Sequence, residues 1–598
     1  MTDERLRMLR EKMAEHSIAV YIVPTADYHE SEYVGEHFKA RAWLTGFSGS
    51  AGTAVVTADE AVLFTDGRYF IQAERELSGS GFSLMRMGTA GVPTVFEYVK
   101  SVLPDQGVIG FDGRVVNAAD GEKYLKLAEE RGGKLSVSDD LVSEIWEDRP
   151  ARSKSRAWVL GEEYAGESAA GKIARVREKM KEAGAAIHIL TTLDDIAWLL
   201  NIRADDISHW PVALSYLMLT EKGCVLYISG AALTEEVKKH LSANRVSTAP
   251  YEDIYKIADM LSVKHMGTVL LDKRKVNYRI VSAVSGANEI IDRENPTVLM
   301  KAVKNPTEIR NIRAAHVKDG VAMVRWLYWL KNTVGTEPMT EWDAAEKLAE
   351  FRKSQEGFVD LSFDTIPAYR ENAAMMHYHA DPETAAELRP EHFLLVDSGG
   401  HYLEGSTDIT RTVALGPLTD REKQLFTTVL RCNLNLASAK FLQGCNGQNL
   451  DILARGPLWE MGLDYRCGTG HGVGYMLNIH EAPNGFRWRK VSERNDSAVF
   501  EPGMVTTDEP GVYIEGELGI RTENELLCVE AEENEYGRFL EFECVTLCPI
   551  DLAAVDPTML SKREKDLLNA YHEKVYQELS PYLPREEQLW LRYETREV

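Results

Sequence analysis

Four carboxylates and one imidazole stand at spacings that suit metal chemistry. Asp397 and Asp408 lie eleven residues apart in VDSGGHYLEGSTDITRT, His471 lies in GTGHGVG, and Glu509 and Glu523 lie fourteen apart in TDEPGVYIEGELGIRTEN. A set without thiolate favours hard or borderline divalent ions, Mn²⁺ first, with Zn²⁺ or Co²⁺ tolerated. Four carboxylates carry more charge than one ion balances, so they suit two ions about 3.5–4 Å apart with a hydroxide between them. Such a pair acidifies water and polarises a carbonyl, the chemistry of metal-assisted hydrolysis. A lone aspartate more often caps a turn. Five candidate ligands in three glycine-flanked, strand-like motifs read as one crowded site, where glycine lets backbone approach closely.

Further groups surround this set. His377 in AAMMHYHA and His480 in LNIHEAP read as strand-borne groups that orient substrate and pass protons. Capping a strand or bonding a carbonyl is the alternative for each. His379 reads as structural or as part of a rim. Arg521, two residues before Glu523 on the same side of a strand, reads as a partner for a ligand carboxylate or as a surface ion pair.

The elements that must position these groups follow from periodicity. Short strands with Gly and Pro turns are expected from Phe358 to Leu547. Before them, Lys304-Asn305-Pro306 marks a boundary, because Pro starts a helix and cannot continue one. The helix expected over 307–332 carries Val321, Val324, Leu327 and Leu330 on one face, and Thr340-x-x-Asp343 resembles a capping box. Residues 560–579 read as helix, followed by a short Pro-bounded tail ending near Arg592.

The first half looks duplicated. Leu6, Leu9 and Met13 recur at helical spacing before a strand at 18–23, and adding 167 gives Ile173, Val176 and Met180 before a strand through Ile187 and Ile189. LREKM matches VREKM, and Thr53–Val56 with Val62–Thr65 is answered by Tyr216–Leu219 with Val225–Ile228. Two copies of one α/β unit are expected, at 1–155 and 156–303, each a mixed sheet flanked by helices, followed by an α+β domain at 304–598.

Bulk properties narrow the function. The 598 residues are 44% hydrophobic and 27% charged with net charge −25. That balance argues against nucleic acid or an anionic membrane surface as partner. No apolar run reaches a membrane span, and MTDERLRMLREKM is charged and amphipathic where a secretory leader is apolar. Seven scattered cysteines without CxxC fit reduced thiols and a cytoplasmic location.

On these motifs the chain resembles the pitta-bread metallopeptidases, in particular the long, three-domain Xaa-Pro aminopeptidase group. GFSGSAGTAVV, TDGRYF, LDDIAWLLNIRADDI and KNPTEI extend the resemblance over nearly the whole chain. It implies two creatinase-like α/β domains before a catalytic pitta-bread domain, hydrolysis of the N-terminal Xaa-Pro bond of peptides, and a homodimer. Asp408 and Glu523 would bridge both ions, Asp397 would chelate one, and His471 with Glu509 would complete the other. His377 and His480 match histidines that contact substrate and steady the tetrahedral intermediate, with His471 also at the substrate and Glu509 moving protons. Arg41 matches an arginine that reaches substrate from the first domain. One departure is Cys467: relatives often show HGTGHG where this chain has CGTGHG. The cysteine stands where a pocket histidine is often found, either as a tolerated small apolar substitute or as a residue that tunes the proline pocket, and a thiol there would make activity sensitive to oxidation or soft metals. A prolidase, a methionine aminopeptidase and a metal-free binding protein share the fold. The long N-terminal half disfavours the first two, and the complete ligand set disfavours the third.

Overall fold

Two six-stranded sheets in the first part of the chain repeat one strand order. The computed structural model describes residues 2–138, 140–491 and 494–598. Its contacts divide the chain into one unit of Met1–Leu160 with Glu167–Thr297 and a second of Gly161–Gly166 with Val298–Val598.

In the first unit, one sheet runs 83–86, 61–65, 53–56, 20–24, 108–110, 134–136, and the other runs 247–250, 224–228, 215–220, 187–190, 269–271, 290–292. In each, the third strand of this order runs antiparallel to both of its neighbours and the other three pairings are parallel. The helices Thr2–Glu15 and Ala169–Ala183 bury the expected triplets Leu6, Leu9, Met13 and Ile173, Val176, Met180. The duplication seen at an offset of 167 closes to 160 further on. Asn117 and Asn277 each cap a helix, accepting from the Asp120 and Ile280 amides at 2.9 and 3.1 Å. Around them the halves exchange reciprocal bonds. Ala118 N donates to Val276 O at 2.9 Å while Tyr278 N donates to Val116 O at 2.8 Å. Ala119 N donates to Lys273 O at 3.0 Å while Arg279 N donates to Gly113 O at 2.8 Å. Reciprocity of this kind marks a two-fold relation, here inside one chain.

In the second unit the helix Pro306–Thr333 opens where Asn305 and Glu308 form a capping box around Pro306 at the first turn. Its buried side includes Val321, Val324, Leu327 and Leu330, as the spacing predicts. Thr340 and Asp343 close the expected capping box on the helix Glu341–Lys353. An antiparallel sheet then runs 366–369, 393–398, 409–414, and a larger one runs 440–442, 537–544, 524–534, 505–508, 470–472, 481–486. Phe393, Phe426, Phe441, Phe486, Phe500 and Phe542 fill the core. Short strands dominate 358–547, and the helices Asp420–Ala437 and Ile452–Glu460 interrupt them. The first opens on a capping box at Thr419 and Glu422, a signal present in the sequence. The C-terminal tail is itself a helix, Arg585–Glu594, that buries Leu591. No described helix is long and apolar enough to cross a membrane.

Candidate metal centre

Strand register explains how distant carboxylates meet. Asp508 pairs with Asn524 across antiparallel strands, so Glu509, one residue past the first strand, and Glu523, one residue before the second, emerge side by side. Gly472 pairs with Thr506 on the other edge of the 505–508 strand, bringing His471 to the same end. In the neighbouring sheet Asp397 pairs with Thr410, two residues past Asp408. Glu523 N donates to Thr410 O at 3.1 Å and joins the two ligand-bearing segments.

Ligand atoms of Asp408, His471 and Glu523 all lie within 4.8 Å of one another. His471 Nε2 is 3.5 Å from both Asp408 Oδ2 and Glu509 Oε1. The other ring nitrogen, Nδ1, lies 3.0 Å from Gly472 O, and donation to that carbonyl leaves Nε2 as the coordinating atom. Asp397 joins through Arg521, whose Nη2 donates to Asp397 Oδ2. Arg521 is 3% exposed, so it is a buried partner of the Asp397 carboxylate and not a surface ion pair. Its Nη1 also donates to the Tyr513 hydroxyl at 2.7 Å and its Nε to Thr410 Oγ1 at 3.0 Å. Thr410 Oγ1 in turn donates to Glu523 Oε2 at 2.6 Å.

Electrostatics show that these residues fit cations. Burial, then repulsion from Asp397, Glu509 and Glu525, pushes Asp408 well above the carboxylate range. Burial, then Asp408, Glu509 and Asp397, does the same to Glu523. Asp397 Oδ1 is buried with no hydrogen-bond partner. Crowded, buried, under-partnered carboxylates are stabilised by bound positive charge. The donor set is oxygen-rich with one imidazole, suited to divalent ions.

Sequence reasoning missed several supporting groups. Thr507 Oγ1 accepts from His471 N at 3.0 Å and donates to Glu509 Oε1 at 3.1 Å. Glu525 Oε1 accepts from Asp408 N at 2.7 Å and lies 3.3 Å from His316 Nε2 on the 306–333 helix. Thr507 and Glu525 sit two residues from a ligand on a strand, and that spacing was a usable signal. His316 had none.

The remaining candidates are placed as follows. The His480 and His471 rings stand 4.3 Å apart between centroids, edge to face. His480 lies in a bend one residue before the 481–486 strand, and His377 lies in a turn, so neither is strand-borne as expected. The Gly and Pro spacing of short strands resembles that of the loops between them, so spacing alone does not separate the two. His379 is exposed, outside any strand. Arg41 belongs to the first unit and is 2% exposed. Its guanidinium donates to Thr25 Oγ1 at 2.9 Å and to the Phe47 and Gly49 carbonyls, clamping the loop after its own helix. The Cys467 carbonyl accepts from Arg455 Nη2 at 2.6 Å. Burial, then the charge of Glu509, pushes the Cys467 thiol up to about 11, which holds it protonated at neutral pH.

Comparisons with known proteins show the family of the chain. Creatinase/prolidase N-terminal domain families match residues 5–145 and 148–308. Metallopeptidase family M24 matches 310–530 and the C-terminal region of that peptidase matches 538–598. A probable Xaa-Pro aminopeptidase P of Laccaria bicolor is 39% identical over 99% of this chain and 93% of its own. Aminopeptidase P2 of Arabidopsis thaliana is 37% identical over 100% of this chain and 88% of its own. The crystal structure of X-prolyl aminopeptidase from Caenorhabditis elegans, described as a cytosolic enzyme with a di-nuclear active site, superposes with a TM-score of 0.94 at 34% identity, covering 100% of both chains. An Xaa-Pro dipeptidase from Bacillus anthracis shares the fold over 64% of this chain and 99% of its own, with a TM-score of 0.51 at 24% identity. With a buried carboxylate–imidazole cluster at its centre and kinship along its whole length, the chain belongs to the Xaa-Pro aminopeptidase P group of metallopeptidase family M24.

Proposed function

We propose that the protein removes the first residue from peptides whose second residue is proline. The observation that carries this reading is the convergence of Asp408, His471 and Glu523, with Glu509 and Asp397 beside them, in a chain matched end to end by aminopeptidase P relatives. Asp397, Asp408, His471, Glu509 and Glu523 would hold two divalent ions, Mn²⁺ by the hardness of the donors. When bound, such a pair acidifies a shared water and polarises the scissile carbonyl.

The chain's own groups supply the rest. Glu509 accepts a proton from the attacking water and delivers it to the leaving nitrogen. That nitrogen belongs to proline and carries no hydrogen, so its protonation is what lets the bond break. His480, edge-on to His471, donates to the developing oxyanion. His377 lies along the first two substrate residues, and Asp397, steadied by Arg521, lies beside the free amine.

Release of the first residue from Arg-Pro-Pro-type peptides, assayed with and without added Mn²⁺, tests the reading. Mn²⁺-stimulated release is expected. Cleavage of Gly-Pro but not Gly-Pro-Pro would replace it with a prolidase, and absence of metal and hydrolysis together would sink it. A cytoplasmic location is supported by seven cysteines that are all free. Self-association is supported by an exposed apolar group on the second unit: Ile452, Leu453, Trp459, Met461 and Trp488. A sedimenting mass of one chain at micromolar concentration would refute it.

A further inference from the structure

Immediately after His480, Glu481 is buried between two lysines. Lys301 Nζ lies 3.0 Å from Glu481 Oε2, and Lys304 Nζ donates to Glu481 Oε1. The side chains are 6% exposed for Lys301 and 1% for Lys304 and Glu481. Charges are rarely buried so completely, and they persist only where each is paired. Each carboxylate oxygen therefore has its own cation, which fixes the plane of the carboxyl group as a single partner would not.

The backbone on either side is equally constrained. Glu481 pairs with Gly472 in the sheet, and a Cβ at Gly472 would meet the Glu481 carbonyl oxygen at 2.3 Å. Only glycine permits that approach. On the lysine side, Lys304 N donates to Gly503 O at 3.0 Å, tying the 298–304 segment to the edge of the same region. His471 precedes Gly472 and His480 precedes Glu481, so one buried ion cluster sits at the point where both histidine-bearing segments are pinned.

From this geometry we infer that Lys301, Glu481 and Lys304 form a positioning device for His480, holding its imidazole against His471 and aimed at the reacting carbonyl. The inference rests on the aminopeptidase reading for the role of His480, and on geometry alone for its placement. A loop histidine free to turn contributes little to an oxyanion, because stabilisation of developing charge depends on donors fixed in advance. The lysines do not touch substrate. They act through Glu481.

Lys304→Met tests this most cleanly, since Glu481 remains paired with Lys301 and no charge is orphaned. The expected result with an Arg-Pro-Pro peptide is a kcat about tenfold to a hundredfold lower, with KM and bound metal within twofold of wild type. Lys304→Arg should restore most of the rate. A second reading needs no activity: carbethoxylation of His480 by diethyl pyrocarbonate, followed by mass spectrometry on the metal-free protein, should change rate at least threefold in Lys304→Met. Wild-type kcat and wild-type His480 reactivity would overturn the inference. So would a lowered melting temperature with both readings unchanged, which would make the cluster merely structural. If Lys304→Met does not fold, the same two readings on Lys301→Met decide. A wild type inert towards Xaa-Pro peptides would instead refute the functional reading, and His480 reactivity would still judge the positioning.

Discussion

Asp319 and Asp408 are both buried aspartates of the second unit, 3% and 4% exposed, yet their surroundings are opposite. Asp319 receives Arg352 in a two-pronged contact at 2.8 and 3.1 Å and the Tyr402 hydroxyl at 2.9 Å. Burial alone would raise its pKa, but Arg352, with the Tyr402 hydroxyl and His316, more than offsets that and holds it below the usual range. Asp408 faces carboxylates, and both burial and neighbours drive it up. Burial alone therefore does not distinguish a strut from a site. For this pair the sign of the nearby charge does: Asp319 is matched by Arg352, whereas Asp408 faces carboxylates whose repulsion a bound cation would relieve.

The largest test of this contrast is Asp408→Ala. Activity should fall at least about 10³-fold with lower metal stoichiometry, while the metal-free protein melts at or above the wild-type temperature, because repulsion has been relieved. A retained rate would break the assignment. Asp319→Ala should behave inversely, losing about 3–5 kcal/mol of stability by leaving Arg352 unpaired, with kcat of the folded fraction nearly unchanged. Chemical denaturation of the two variants side by side reads both.

A third buried group extends the comparison to pH. Burial, then the charges of Arg411 and Arg596, pushes the His572 imidazole down to about 3. Its Nε2 accepts from Ile550 N at 3.0 Å, which requires the neutral ring. The folded pKa lies below the unfolded value of about 6.5, so the unfolded state binds the proton first and stability falls as pH drops from about 6.5 towards 3. The full effect is a few kcal/mol. His572→Gln should flatten that slope, and an unchanged slope between pH 6 and 4 would remove the assignment.

Smaller effects separate the two units. Arg41→Ala should lower stability by about 2–3 kcal/mol, since two carbonyls and a hydroxyl lose their donor in a buried loop. If Arg41 only clamps its loop, kcat/KM of the folded protein stays within about twofold. A tenfold rise in KM would instead reveal a substrate contact. Cys467→Ser should change least, with rate and peroxide sensitivity near wild type, because the thiol is already held protonated. Loss of peroxide inactivation in the variant would show a reactive thiol after all.

Much of this was legible beforehand. Local patterns carried the helices 2–15 and 306–333, the capping box at Thr340 and the repeat between the two α/β halves, because each depends on neighbours a few residues apart. The helix at 420–437 was overlooked although Thr419 and Glu422 announce it, since its surroundings read as strands. His377 and His480 were assigned to strands because chain direction changes there through contacts that spacing does not encode.

Residue types and motif order alone pointed to metal chemistry: four carboxylates and one imidazole, with no thiolate among the candidates. Only the folded chain decided which charges were already balanced. Asp319 and Asp408 look alike in a string of letters, and so do Arg41 and Arg521. What separates them is long-range pairing, Arg352 beside one aspartate and Glu523 beside the other, a clamped loop around one arginine and the Asp397 carboxylate against the other. Coulomb energy depends on distance in space, and sheet register sets that distance.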